Sequence, residues 1–170
     1  MKAVGARLRE GNRLTPELVE AASRPGTPEF RDVEILVKGL EVRLPDPHVF
    51  IDKEGHERKK VRVRWWDPSA DTFRRAAILN SDDDGTLPET PVPPAARMGY
   101  TDAKPVFFGH YWRTGTPCIL APNACCVDFS AARASEPLVA YRHEGEQVLT
   151  NDRLVAVGGV EPSLRRPARP

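Results

Sequence analysis

Only three cysteines occur in this 170-residue chain, and two of them are the neighbours Cys125 and Cys126. An odd count without paired spacing builds neither a disulfide framework nor a zinc ligand set. Neighbours in a strand point to opposite faces, so these read as buried thiols rather than a reactive site. No apolar run approaches the ~20 residues that span a bilayer, and the N-terminus lacks the apolar centre of a secretory signal. A cytoplasmic setting without membrane contact is the expectation. Neither charge dominates, with 25 basic residues against 24 acidic ones and a net charge of +1, so no basic face argues for nucleic acid. The length suits one domain with a real core and is not comfortable for two. What is plentiful is proline, 17 residues, which favours loops, short helices and edge strands.

Met1 to Asn12 is weakly patterned. Two helix starts follow in near-identical form, Thr15-Pro16-Glu17 and Thr27-Pro28-Glu29. Each offers a hydroxyl N-cap, proline at the first helical position and a carboxylate at the positive end of the dipole. The first helix is predicted to end near Ser23, before Pro25-Gly26. The second is predicted to reach Lys38 with Gly39 as its cap, and to bury a face of Phe30, Val33, Leu36 and Val37. Val49-Phe50-Ile51 and Val61-Arg62-Val63-Arg64-Trp65 read as a hairpin turning at Asp52-Lys53-Glu54-Gly55. Its second strand places Val61, Val63 and Trp65 on one face and Arg62, Arg64 and Trp66 on the other. Such arginines could grip a phosphate, although a solvated edge is the commoner role of this pattern. Asp67-Pro68 opens a short helix through Phe73 and Leu79. In the acidic, proline-rich connection that follows, Asn80, Asp82, Asp84 and Gly85 imitate a calcium loop. The imitation fails at its twelfth position, Pro91.

From Lys104 the apolar runs crowd together: Val106–Phe108, Cys118–Leu120, Cys125–Phe129 and Leu138–Tyr141. The last turns at His143-Glu144-Gly145-Glu146 into Gln147-Val148-Leu149, which reads as a hairpin. The sheet is expected to be mostly antiparallel, and the tail from Glu161 disordered. His110 directly follows the first of these runs. Ligands gather past the carboxyl ends of strands in α/β sheets, though a lone histidine is more often a hydrogen-bonding residue than a ligand.

The order FFGHYW, TGTP, APNACCVDFS and LVAYRHEGE resembles the C-terminal end of bacterial calcineurin-like metallophosphoesterases, relatives of serine/threonine protein phosphatases and diadenosine tetraphosphatases. The upstream EFRDVEILVKGLEV and IDKEGHERKKVRVRWWD resemble the segment between the last two metal-binding histidines of that family. The resemblance spans roughly residues 12 to 157. It implies an α+β or α/β fold that is part of a metallophosphoesterase sandwich: helix pair, β-hairpin and connection over 1–98, a C-terminal sheet over 99–158, and a tail over 159–170. It implies His110 as a metal ligand, Asn123 and Asp128 as groups that orient it, and Arg64 or Arg113 on the phosphate. Complete relatives hold two divalent ions of the manganese or iron type. They act on phosphorylated proteins, small phosphoesters or dinucleoside polyphosphates.

The departures matter equally. The family's Gly-Asp-x-His-Gly, Gly-Asp-x-x-Asp-Arg-Gly and Gly-Asn-His-Glu blocks do not occur here. Gly11-Asn12 continues as Arg13-Leu14, Gly55-His56-Glu57 lacks the asparagine, and Trp112 stands where many relatives carry a second histidine. One histidine does not hold two ions, because occupancy depends on several ligands acting together. No residue here is therefore assigned as catalytic, and the metals are not expected to stay on this chain alone. The leading expectation is the C-terminal portion of a metallophosphoesterase, inactive alone and lacking an N-terminal half. The alternatives are a non-catalytic binding or regulatory module on the same scaffold, and an active enzyme assembled with a separate N-terminal chain. Without that half, the strand Val106–Phe108 is expected to keep an open edge and an uncovered apolar face.

Overall fold

The N-terminal helices follow from their caps. In the computed structural model, which describes residues 13–52, 54–79, 87–97, 99–133 and 135–159, helix α1 spans Pro16–Ser23 and α2 spans Pro28–Lys38. The Thr15 hydroxyl oxygen accepts from the Leu18 N–H and that of Thr27 from the Phe30 N–H, filling donors that the first turn leaves open. Gly39 ends α2 at φ 88°, its N–H donating to the Ile35 carbonyl at 3.0 Å, in a left-handed conformation that glycine adopts without a Cβ penalty. The predicted buried face holds only in its first half. Phe30 and Val33 are half-buried, whereas the last turn carries Leu36 and Val37 into solvent.

The backbone divides into two compact units, Met1–Glu41 and Val42–Pro170. The boundary expected at residue 98 lies inside the second. Among the described residues, strands of two to four residues make four small sheets, and helix and strand mix as an α+β chain. The largest has the order β1 (Glu41–Arg43), β4 (Lys60–Val63), β5 (Ala77–Ile78), with β4 and β5 antiparallel through Arg62↔Ile78 and Val63↔Ala77. Strand β2 (Phe50–Ile51) pairs with β3 (Glu57–Arg58) across the predicted turn, so the strand after Lys60 is not its partner. The predicted face alternation also ends early. Trp65 N–H donates to the Val63 carbonyl in a turn, and it is Trp66 that becomes buried while Trp65 is half-exposed. The helix expected from Asp67 shrinks to α3 (Phe73–Ala76), capped by Thr72.

The C-terminal strands differ from one antiparallel sheet. β6 (Val106–Phe108) and β7 (Ala124–Cys126) are parallel, in register Val106↔Ala124 and Phe108↔Cys126. A parallel pair needs a long crossover, and residues 109–123 supply it without a strand at Cys118–Leu120. β8 (Leu138–Tyr141) pairs antiparallel with β9 (Leu154–Val157), not with Gln147–Leu149. Leu149 is instead buried, its N–H donating to the Pro122 carbonyl at 2.7 Å.

The core of the second unit joins the β4–β5 sheet to the parallel pair. Trp66, Tyr111, Ala124 and Cys126 form a buried cluster, with Trp65, Ile78, Phe108 and Leu120 packed against it. Trp65, Trp66, Phe108 and Tyr111 interlock with ring centroids 5.0–5.8 Å apart, the spacing at which aromatic pairs gain energy beyond burial. The calcium-loop look-alike at 80–85, Gly11-Asn12 and the tail from 160 lie outside the described residues. No described helix is long and apolar enough to cross a membrane.

Candidate functional site

The chain leaves β6 through Gly109 and enters a loop with an alternating backbone. His110 has φ 68° and Trp112 φ 47°, both in the left-handed region that non-glycine residues rarely occupy. Between them Tyr111 is buried, and it accepts a hydrogen bond from Trp65 Nε1 at 2.9 Å. The alternation anchors Tyr111 in the aromatic cluster and turns His110 and Trp112 to solvent. Left-handed residues cost of order 1–3 kcal/mol each and persist only where the surroundings over-determine them.

Those surroundings are visible. On one side, Arg62 Nη1 donates to the His110 carbonyl at 3.0 Å and its guanidinium lies 5.1 Å from the Tyr111 ring centre. On the other, the Asp128 carboxylate accepts from the Trp112 N–H through Oδ2 and from the Ser130 N–H through Oδ1, both at 3.1 Å. The Asp128 carbonyl also accepts from the Arg113 N–H at 3.1 Å. The loop is thus held at the His110 carbonyl by Arg62 of β4 and at the Trp112 and Arg113 amides by Asp128, while the His110 ring stays exposed, 6.0 Å from the Trp112 ring.

The residues singled out in the sequence separate into two groups. His110, Asp128 and Arg113 come together around this loop. Arg64 belongs with them: it is half-buried two residues beyond Arg62, and its pKa is lowered first by burial and then by the charge of Arg113. Asn123 does not face His110. It precedes β7 and therefore lies at the opposite end of the parallel strands, where its Nδ2 donates to the carbonyls of Asp102 (2.6 Å) and Tyr100 (3.2 Å). Its work is to tie down the loop that enters β6. The pattern Ala-Pro-Asn carries no sign of that, because the partners are main-chain carbonyls some twenty residues away.

That same end opens on a feature the sequence did not announce, a cleft of about 560 Å³ lined by Trp66, Tyr100, Asp102, Asn123, Gln147 and Val148. Its walls come from four separate segments, so no local motif marks it.

The donor set for a metal is short. His110 is a competent single ligand, but among the described residues the one cluster of three ligand-type side chains is Asp52, Glu54 and His56, in the β2–β3 turn. There the Asp52 carboxylate is already engaged by the N–H groups of Glu54 and His56 and by Arg58 Nε at 2.7 Å, and the His56 bond is the main reason its pKa falls to about 2. Among the described residues, then, the donors for a two-metal centre are not gathered in one place. The cysteines offer no substitute, since burial pushes Cys125 to about 12 and Cys126 to about 11, leaving both as thiols. No protein-family model, curated protein or solved structure matches the chain.

Proposed function

We propose that this chain is the C-terminal part of a cytoplasmic calcineurin-like metallophosphoesterase, a partial sandwich of that fold, supplying His110 as one ligand of a two-metal phosphoester-hydrolysing centre. The observation that carries the reading is the His110 loop. A histidine held past the end of a strand in an unfavourable backbone conformation, clamped at its carbonyl and at its following amides, with the ring exposed, is costly to build for stability alone. It is economical if the ring must be aimed at a ligand. Asp128 is the group that orients it.

The remaining ligands are to come from outside these 170 residues, which leaves the chain alone without hydrolytic activity. When bound, two ions of the manganese or iron type would generate hydroxide and stabilise the attacking and leaving oxygens. Substrates in the complete enzyme are phosphoproteins, small phosphoesters or dinucleoside polyphosphates. The apolar outer face of β8–β9, where Leu138 and Val157 are exposed, supports this reading. The pair β6–β7 does not add to it, since β7 is wholly buried and Phe108 packs in the aromatic cluster. The aromatic-walled cleft favours a second reading, a binding module without catalysis.

Two measurements decide. The coding sequence upstream is expected to contain the aspartate and Gly-Asn-His-Glu blocks, and a polypeptide carrying them, added to this chain with Mn²⁺, is expected to hydrolyse an aryl phosphate in a His110-dependent way. Upstream sequence without those blocks sinks the family reading. Manganese-dependent hydrolysis by this chain alone, lost in His110→Ala, sinks the claim of incompleteness.

A further inference from the structure

The cleft at the far end of β6–β7 from His110 has a floor and a rim of different character. Trp66, Tyr100, Leu120 and Ala121 are buried or half-buried in its floor, while Pro68, Pro122 and Val148 stand exposed at its edge. Its volume of about 560 Å³ lies within the range of ligand sites.

The polar groups of the cleft are few and placed. Trp66 is only 5% exposed, yet its indole N–H makes no hydrogen bond among the described residues and is not sealed from solvent. The little of Trp66 that is open borders the cleft it lines, so a nearly buried donor is left without an acceptor there. The Asn123 amide gives both its hydrogens to the Tyr100 and Asp102 carbonyls, which fixes Oδ1 as an acceptor with no partner among the described residues. Two carboxylates complete the set. Asp67 and Asp102 each spend Oδ1 on a main-chain N–H, of Ser69 and of Lys104, and keep Oδ2. Asp67 shares its charge with Arg64, whereas Asp102 is exposed and makes no ion pair among the described residues.

Among the described residues no lysine, arginine or histidine lines the cleft, so an anion is poorly served. A purely apolar ligand would leave the indole donor and the Asn123 acceptor unmatched. A peptide main chain answers both with a carbonyl and an N–H. Proline rings suit aromatic and apolar walls, and the extended polyproline II form is already ordered before binding. A guanidinium answers the free carboxylate.

We propose that this cleft is a docking site for a basic, proline-rich segment of a partner protein in the polyproline II form. A main-chain carbonyl of the segment accepts from the Trp66 indole N–H, its proline rings lie against Tyr100 and Pro122, and an arginine reaches Asp102. The proposal rests on the cleft alone and gives the binding-module reading a ligand class, while the His110 reading concerns the other end of the parallel strands.

The test is a titration of the isotope-labelled full chain with the peptide acetyl-APPRPPRPPA-amide in EDTA, followed by nuclear magnetic resonance. The three tryptophans give three indole N–H signals, and Trp112→Phe identifies that of the His110 loop. A saturable shift of the Trp66 signal is expected, with the Trp112 signal unmoved. Asp102→Asn keeps Oδ1 for the Lys104 N–H and removes the charge, and it is expected to weaken binding about twofold to fivefold. That difference disappears when glutamine replaces arginine in the peptide. Val148→Arg, at the exposed edge, is expected to weaken binding about tenfold or more, and Val157→Arg, on the outer face of β8–β9, to leave it unchanged. Circular dichroism identifies any variant that fails to fold, and Asp102→Asn then carries the comparison. No saturable shift at Trp66, unchanged affinity in Asp102→Asn or Val148→Arg, or equal affinity for a peptide with glutamate in place of arginine overturns the proposal. Arginine amide binding as tightly as the peptide also overturns it, by showing a pocket for a small cation. The assay holds no metal and no phosphoester, so its failure leaves the His110 reading standing, and failure of that reading leaves the docking site standing.

Discussion

His110 makes the clearest residue-scale test, because stability and function ask for different side chains at φ 68°. Glycine relaxes the left-handed conformation, so His110→Gly is expected to be about 1 kcal/mol more stable than His110→Ala in urea denaturation. Equal stabilities would mean that the backbone is not strained there and would remove the main support for an aimed ring. Asp128 is the counterpart. Asp128→Ala strips the acceptor from the Trp112 and Ser130 amides, and a loss of about 1–3 kcal/mol is expected, with faster hydrogen exchange at those two amides. The thiols are separable too. Cys118 is half-buried and should react first with a disulfide reagent at pH 8, while Cys125 and Cys126 should wait for unfolding. At this scale motif order singled out His110, Asn123 and Asp128, and analogy of charge added Arg64 and Arg113; the structure gathers His110, Asp128 and Arg113 around one loop. Motif order misplaced Asn123, since a one-dimensional pattern does not reveal which end of a strand a residue occupies once the partner strand runs parallel.

The elements divide by how local their causes are. Both N-terminal helices were legible to the residue, because hydroxyl cap, proline and terminal glycine act within a few positions. The hairpin turn at Asp52 was legible for the same reason. Its carboxylate collects two backbone donors and Arg58, and its folded pKa of about 2 lies below the ~3.9 of an unfolded aspartate. The turn's contribution is therefore complete above about pH 4 and is lost as pH falls towards 2. Stability measured across that interval should slope downward in the wild type and less steeply in Asp52→Asn; parallel slopes would refute the assignment. Strand pairing, by contrast, was read poorly. Strands of two to four residues offer too little alternation to fix a partner, and Leu154–Val157, four apolar residues after a polar turn, was passed over in favour of the nearer Gln147–Leu149. Leu149 is apolar because it is buried beside Pro122, not because it lies in a ladder.

At the scale of the molecule, the balance between covered and uncovered apolar surface sets what the chain does in solution. On β8–β9 the directly opposed residues share a face, so Leu138 with Val157 and Ala140 with Val155 form one side, and Val139 with Ala156 the other. Val139 is 6% exposed, while Leu138 and Val157 are 65% and 67% exposed. The first side is thus an apolar sheet face left to water. Faces of this kind are normally covered by another element or another chain. We expect the chain alone to self-associate as its concentration rises, and Leu138→Lys with Val157→Glu to suppress this with little loss of thermal stability. The two substitutions remove few packed contacts and place opposite charges across one rung of the ladder. Sedimentation velocity over a concentration series, with a melting curve for each protein, gives the answer. A wild-type chain that stays a clean monomer throughout would show that this face needs no cover. A double variant that loses its cooperative melt would show that the face is already packed.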